Sequence, residues 1–360
     1  MTASTLDAIS WESFSGLDSR EKAIYLMEDG RPRHVLIPQQ FGRRELDALG
    51  ALATLIRQIS KDRKGVDFLA DLLSDKRAML YFTQPSTRTF LSHLSACQIL
   101  GVRAGEVRDT ATSSELKGES REDSVRTFSS YYDLIVMRTK ERGLAERMAW
   151  VLGNSDRPIP IINAGSGQDQ HPTQALLDIY TLQRSFENLG GIDGKRVVFV
   201  GDLARGRTVR SLATLLANYD DVSMSFVAPK AFQIGEDILN MLDSRGIICE
   251  CSENLRGALP DADAVYMTRI QDEWDTEEGE SAKVDISDYC LCTKDLEALK
   301  STAIIMHPLP RREEIPTEID RDPRAMYWRQ MRNGMWVRSA LIAQLFRKDN
   351  EIRQYDPCSK

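Results

Sequence analysis

The sequence predicts an α/β protein made of two doubly wound parallel-sheet domains joined by helices. Three observations lead there. Short apolar runs of strand length recur along the chain, helical stretches separate most of them, and 360 residues is roughly twice the size of a usual single domain. Alternation of this kind calls for parallel sheets with helices on both faces.

Taken in order, residues 1–33 are polar and weakly periodic, and read as an extension that lies on the surface or is partly disordered. A regular pattern begins at His34. The short apolar stretch HVLIP leads into Glu45–Ser60, where Leu46, Leu49, Leu52, Leu55 and Ile59 recur at helical spacing. Ala78–Thr83 is a short apolar run, the mark of a buried strand. Runs of the same kind occupy Leu134–Met137, Pro160–Ile162, Val197–Val200, Ser223–Val227, Ala264–Met267 and Ala303–Met306. The glycine-rich stretch ENLGGIDGK follows a helical segment (Thr173–Arg184) and marks the domain junction. The first domain is therefore expected over 34–187 and the second over 188–330. Residues 331–360 hold a closing helix, Gly334–Arg347, expected to pack back on the first domain.

Composition narrows the function. Lys and Arg (47) against Asp and Glu (54) give a net charge of −7, which argues against a general nucleic-acid binder. No apolar run reaches the length of a membrane span. The N-terminus has neither the basic nor the apolar part of a secretory signal, so a cytoplasmic protein is expected. Six cysteines are too sparse for a disulfide scaffold. The pairs Cys249/Cys251 and Cys290/Cys292 lack the C-x2-C spacing usual for zinc knuckles, and read as buried free thiols rather than a metal site.

Candidate chemistry gathers where strands end. After Ala78–Thr83, Pro85 stops the strand and Ser86 can cap a helix over Thr87–Leu100, with Phe90, Leu91, Leu94 and Cys97 inward. Ser86, Thr87, Arg88 and Thr89 then bring hydroxyls, a guanidinium and free N–H groups to a helix N-terminus, a ready anion site. A plain capped helix would carry the same residues. Gly201–Thr208 (GDLARGRT) resembles a phosphate-binding loop with arginine in place of the essential lysine. Arg207 there suits a carboxylate, which a guanidinium grips with two bonds. His171-Pro172 and His307-Pro308 leave strand ends in directions fixed by proline. Arg138 and Arg269 follow strands, and Ser113 and Lys117 lie in the polar loop ATSSELKGES. Ligands of open parallel sheets bind beyond the carboxyl ends of the strands. The set describes a pocket for anionic substrates and transfer between them by positioning and electrostatics.

These blocks, in order, resemble the catalytic chains of the aspartate/ornithine carbamoyltransferase family from about His34 to the closing helix. They are PSTRT (Pro85–Thr89), Ser113–Glu119 (S-x-x-x-K-G-E), VMR (Val136–Arg138), Asn163–Gln174 (NAG…QHPTQ), Gly201–Val209 (GDL…GRTV), Tyr266–Gln271 (YMTRIQ) and His307–Arg311 (HPLPR). Pro172-Thr173 and Pro308 replace the cysteine-bearing versions of the ornithine enzymes and favour aspartate as acceptor. The resemblance implies carbamoyl transfer from carbamoyl phosphate to L-aspartate in pyrimidine biosynthesis, with no metal or organic cofactor. Ser86, Thr87, Arg88, Thr89 and Arg138 would hold the phosphate. His171, with Arg88 and Thr89, would polarise the carbamoyl oxygen as the catalytic set. Gln174 and the Leu309–Pro310 backbone would bind the carbamoyl amino group, and Arg207, Arg269 and Gln271 the aspartate. Ser113 and Lys117 would come from a neighbouring subunit, which implies a homotrimer, alone or with regulatory or dihydroorotase chains. A transferase for another amine and a non-catalytic binding paralogue are the alternatives.

The chain also departs from the family's usual residues. Gln84 stands for Glu, Phe90 for Arg, His93-Leu94 for Phe-Glu, Thr139-Lys140 for His-Pro and Trp274 for Arg. Gln84 and Trp274 together remove two charges of the closing ion-pair network, which suggests altered closure with the ligand-binding residues kept.

Overall fold

A computed structural model describes residues 5–108, 118–167, 170–272, 275 and 284–356. The first half runs through α1 (Trp11–Gly16), α2 (Ser19–Leu26), β1 (Met27–Glu28), β2 (Arg31–Pro32), α3 (Arg43–Ile59), α4 (Arg63–Asp71) and β3 (Arg77–Phe82). It continues with α5 (Thr87–Ile99), β4 (Arg103–Val107), α6 (Arg121–Tyr131), β5 (Leu134–Thr139), α7 (Leu144–Gly153), β6 (Ile161–Ser166) and α8 (Pro172–Ser185). The second half has β7 (Arg196–Val200), α9 (Arg207–Leu216), β8 (Ser223–Val227), α10 (Glu236–Asp243), β9 (Ile248–Ser252) and α11 (Leu255–Ala258). It closes with β10 (Ala264–Met267), β11 (Ile304–Met306), α12 (Tyr327–Leu345) and α13 (Asp349–Arg353). Two compact units result, Met1–Leu176 with Arg332–Lys360, and Leu177–Met331.

In the first unit a parallel sheet runs β4-β3-β5-β6. Its inner strands are buried along almost their whole length, as strands covered on both faces must be. The second unit holds a parallel sheet ordered β11-β10-β7-β8-β9. The α/β class with two parallel sheets is therefore the observed architecture.

The N-terminal segment differs from its expected surface position. Leu6, Phe14 and Leu26 are buried in the same apolar cluster as Met79, Ile135, Met148 and Ile161. Trp150 donates its indole N–H to the Ile9 carbonyl at 2.8 Å, and Lys22 pairs with Glu146 at 2.7 Å. Three short apolar anchors separated by polar helix faces give no periodic signal, yet each fills the core under α7.

Smaller differences have equally local causes. Leu91 of α5 points outward, 51% exposed, while His93 is fully buried. The closing helix begins at Tyr327, seven residues before the expected start, because its polar first turns bury Tyr327 and Gln330 as well. The cysteines of the second C-x-C pair lie outside strands, and Cys251 and Cys292 are exposed rather than buried. No group of three metal-ligating side chains forms among the described residues.

Candidate active site

Strand pairing in the first unit fixes most of the predicted anion site. Phe82 of β3 lies in register with Arg138 of β5. Beyond that pair, the Arg138 carbonyl accepts from Thr83 N at 2.9 Å and from the Thr83 hydroxyl at 3.3 Å. These bonds tie the turn before α5 to the end of β5, so Ser86–Thr89 and Arg138 emerge from adjacent strands. β6 pairs next to β5 with a register irregularity between Met137 and Thr139. His171 follows β6, and the Arg138 guanidinium donates to the Ala164 carbonyl at 3.0 Å and faces His171 Nε2 at 3.5 Å. A guanidinium cannot accept a hydrogen bond. A hydrogen bond between the two therefore has Nε2 as its acceptor.

Ser86 occupies the N-cap position of α5, but its side chain makes no capping bond, contrary to the expected role. A thirteen-residue helix thus presents its N-terminus without a side-chain acceptor from its own cap, the arrangement that favours an anion. Thr89 is buried, Arg88 and Ser86 are half-buried, and Thr87 is exposed. The Thr89 carbonyl accepts from the Ser92 hydroxyl at 3.1 Å and contacts His93 Nδ1 at 2.8 Å. Burial first, then the charge of Arg338, holds His93 well below the usual histidine range. The neutral ring therefore donates from Nδ1. Gln174 lies in the first turn of α8, its backbone N–H bonded to the His171 carbonyl at 3.0 Å.

In the second unit the candidate residues emerge from three neighbouring strands: Arg207 after β7, Arg269 and Gln271 after β10, Leu309 and Pro310 after β11. Gly201 ends β7 with φ +113°, and a Cβ there would lie 2.1 Å from the Thr268 carbonyl oxygen, so only glycine fits. At Gly206 a Cβ would meet the Asp202 carbonyl at 2.6 Å and Gln271 Nε2 at 3.6 Å. The loop carrying Arg207 and the segment carrying Gln271 therefore touch.

His307 is a brace. Its Nδ1 accepts from Leu309 N at 2.7 Å, which leaves Nε2 to donate to Glu314 at 2.8 Å. Burial opposes the Glu314 carboxylate, but the bond and charge of His307 and the Arg312 backbone N–H outweigh it and lower its pKa below the usual range. The result orients Leu309, whose φ of 57° and cis bond to Pro310 turn the chain sharply. A further buried relay runs from Tyr266 O–H and Gln330 Nε2, both donating to Asp178, to Gln330 Oε1, which accepts from His307 N.

The sequence reading did not single out Asp202, Arg205, Asp275, Glu314 or Asp178. Asp202 had a signal, a carboxylate directly after a strand within a glycine-bounded turn. Arg205 shares that turn, while Asp275, Glu314 and Asp178 meet their partners through the fold. Ser113, Lys117 and Trp274 lie outside the described residues.

Two family models cover nearly all of this arrangement. Aspartate/ornithine carbamoyltransferase, carbamoyl-P binding domain, matches residues 33–184, and the Asp/Orn binding domain matches 193–345. The chain belongs to the aspartate/ornithine carbamoyltransferase family. It is 43% identical over 315 residues to aspartate carbamoyltransferase 3, chloroplastic, of Pisum sativum, covering 86% of this chain and 77% of that one. Among solved structures it resembles the catalytic subunit of M. jannaschii aspartate transcarbamoylase, with TM-score 0.77, 37% identity, and 89% and 99% of the two chains covered. Trypanosoma cruzi aspartate transcarbamoylase in complex with N-(phosphonacetyl)-L-aspartic acid is also similar, at TM-score 0.76 and 33% identity, covering 87% and 95%.

Proposed function

We propose that this chain is an aspartate carbamoyltransferase, moving the carbamoyl group of carbamoyl phosphate to the amino group of L-aspartate. N-carbamoyl-L-aspartate and phosphate are the products, and the reaction belongs to pyrimidine biosynthesis. The observation that carries this reading is the convergence of the uncapped α5 N-terminus, Arg138 and His171 on adjacent strand ends, in a chain of this family.

The aspartate amine attacks the carbamoyl carbon, a C–N bond forms, and the carbonyl oxygen gains negative charge. Collapse breaks the C–O bond to phosphate, which leaves and takes the amine proton. Ser86, Thr87, Arg88, Thr89 and Arg138 hold the phosphate. Arg88, Thr89 and His171 meet the charge developing on oxygen, so they stabilise the transition state more than the ground state. Gln174 and the Leu309–Pro310 backbone hold the carbamoyl amino group. Arg207, Arg269 and Gln271 take the acceptor's carboxylates. Pro172-Thr173 and Pro308 support aspartate over ornithine. Ser113 and Lys117 complete the site of a neighbouring copy, which makes the enzyme a homotrimer, and the working compartment is the cytoplasm.

Steady-state phosphate release with both substrates tests the reading. Wild type turns over with aspartate and not with ornithine, and Arg88→Ala loses about 10²–10³-fold or more in kcat. An Arg88→Ala enzyme with near-full activity rejects the site. Native mass spectrometry checks the trimer.

A further inference from the structure

The turn between β7 and α9 contains an arginine that the proposed reaction does not use. Arg205 is largely buried, its side chain 14% exposed, and it joins two carboxylates from separate segments. Its Nε donates to Asp202 at 2.9 Å and its Nη1 to Asp275 at 2.7 Å. The guanidinium also lies over the Phe232 ring, 4.7 Å from the centroid. Asp202 is fully buried and accepts from the backbone N–H groups of Arg205 and Gln271, each at 3.1 Å. The acceptor-side segment after β10 is thus fastened twice to this turn, at Gln271 through Asp202 and at Asp275 through the Arg205 fork.

We propose that Arg205 is a positioning residue for the acceptor, clasping Asp202 and Asp275 so that Gln271 and the adjacent Arg269 stay aimed at the acceptor's carboxylates. This inference rests on the function proposed above. A planar fork with donors on two edges can satisfy two carboxylates at once, and a lysine point charge cannot hold both in fixed directions. Burial pushes the Asp202 carboxyl above its usual range, against the bonds from Gln271 and Arg205. Removing the guanidinium weakens the ionised form that accepts the Gln271 N–H. The loss falls on the acceptor side, because none of these contacts involves the α5 N-terminus, Arg138 or His171.

The experiment compares wild type, Arg205→Met, Arg205→Lys and Asp275→Asn by aspartate KM, kcat and calorimetric carbamoyl phosphate affinity. Arg205→Met is expected to raise aspartate KM by about ten- to thirty-fold with carbamoyl phosphate affinity within about twofold of wild type. Arg205→Lys recovers part of that loss. Asp275→Asn raises aspartate KM several-fold, and the pair Arg205→Lys/Asp275→Asn is less than additive. Should Arg205→Met fail to fold, Asp275→Asn and its pairing with Arg205→Lys decide alone. An aspartate KM unchanged in Asp275→Asn, or substrate affinities that weaken equally in the Arg205 variants, overturns the clasp while an active wild type keeps the function. A wild type inert towards aspartate overturns the function and the inference together.

Discussion

In the first unit Arg138 is buried, and its guanidinium donates to the Ala164 carbonyl and faces the His171 ring. Around the segment after β10 in the second unit, the arginines meet carboxylates: Arg205 meets Asp202 and Asp275, Arg269 lies 3.6 Å from Asp272, and Arg312 grips the same Asp272 at 2.8 and 2.9 Å. Positive charge held by dipoles in a low-dielectric setting attracts a dianionic ligand strongly. Positive charge already matched by carboxylates contributes geometry more than attraction. On the function proposed above, Arg138 would serve the donor by attraction and the Arg205–Asp202–Asp275 set the acceptor by shape, and substitutions in the two should leave different kinetic signatures.

Arg138→Ala gives the largest separation. Loss of this buried cation is expected to weaken carbamoyl phosphate binding and reduce kcat by about 10²–10³-fold, with aspartate KM little changed. Single-turnover and steady-state phosphate release on the folded variant would measure both. Equal losses for the two substrates would dissolve the contrast between attraction and shape.

The units also differ in how the chain builds them. The second is one continuous stretch, whereas the first is completed from both ends of the chain. Arg31 binds Asp349 at 2.9 Å, and Phe68 stacks on Tyr355 with ring centroids 4.5 Å apart. Phe14 is fully buried between Trp11 and Tyr25, so Phe14→Ala should cost about 3–5 kcal/mol. Urea unfolding monitored by tryptophan fluorescence would show it, with Trp11 and Trp150 reporting on the first unit. A loss under about 1 kcal/mol would return the N-terminal segment to the surface position its polarity suggests.

What the sequence disclosed follows the same contrast. Buried central strands such as Leu134–Thr139 and Arg196–Val200 stand out as apolar runs, because both faces are covered. The edge strands Arg103–Val107 and Ile248–Ser252 are largely exposed, so polar residues interrupt them and no run appears. Ser86–Thr89, Arg138, His171 and Arg207 were legible as candidates because each follows a strand end with side chains able to bind an anion. The carboxylates that hold Arg205 and Gln330 were not. Asp275 lies 70 positions from Arg205 and Asp178 lies 152 from Gln330, and no local pattern encodes a partner at that distance. Leu91 misled because helical spacing alone does not say which side of α5 the sheet covers.

The smallest expected effect lies beside the Leu309–Pro310 turn, where Arg311 donates to both oxygens of Asp320 and Tyr327 O–H donates to one of them. The bond from Arg311 outweighs partial burial, and with the help of Tyr327 it lowers the Asp320 pKa to about 2. A carboxyl depressed in the folded state stabilises the fold above its ordinary value and loses that contribution as protons bind. The contribution is thus complete above about pH 4 and disappears as pH falls towards 2. The side chains of Arg311 and Asp320 are 14% and 31% exposed, so solvent screening limits the gain to about 1 kcal/mol. Asp320→Asn should therefore lower Tm by about 2–4 °C at pH 7. The gap to wild type should stay constant down to about pH 4 and narrow below it. Thermal unfolding of both proteins at pH 7, 5, 4 and 3 would follow it. A gap that widened below pH 4 would mean that Arg311 steadies this turn through contacts other than the ionised Asp320, and the turn would owe its shape to packing rather than to matched charge.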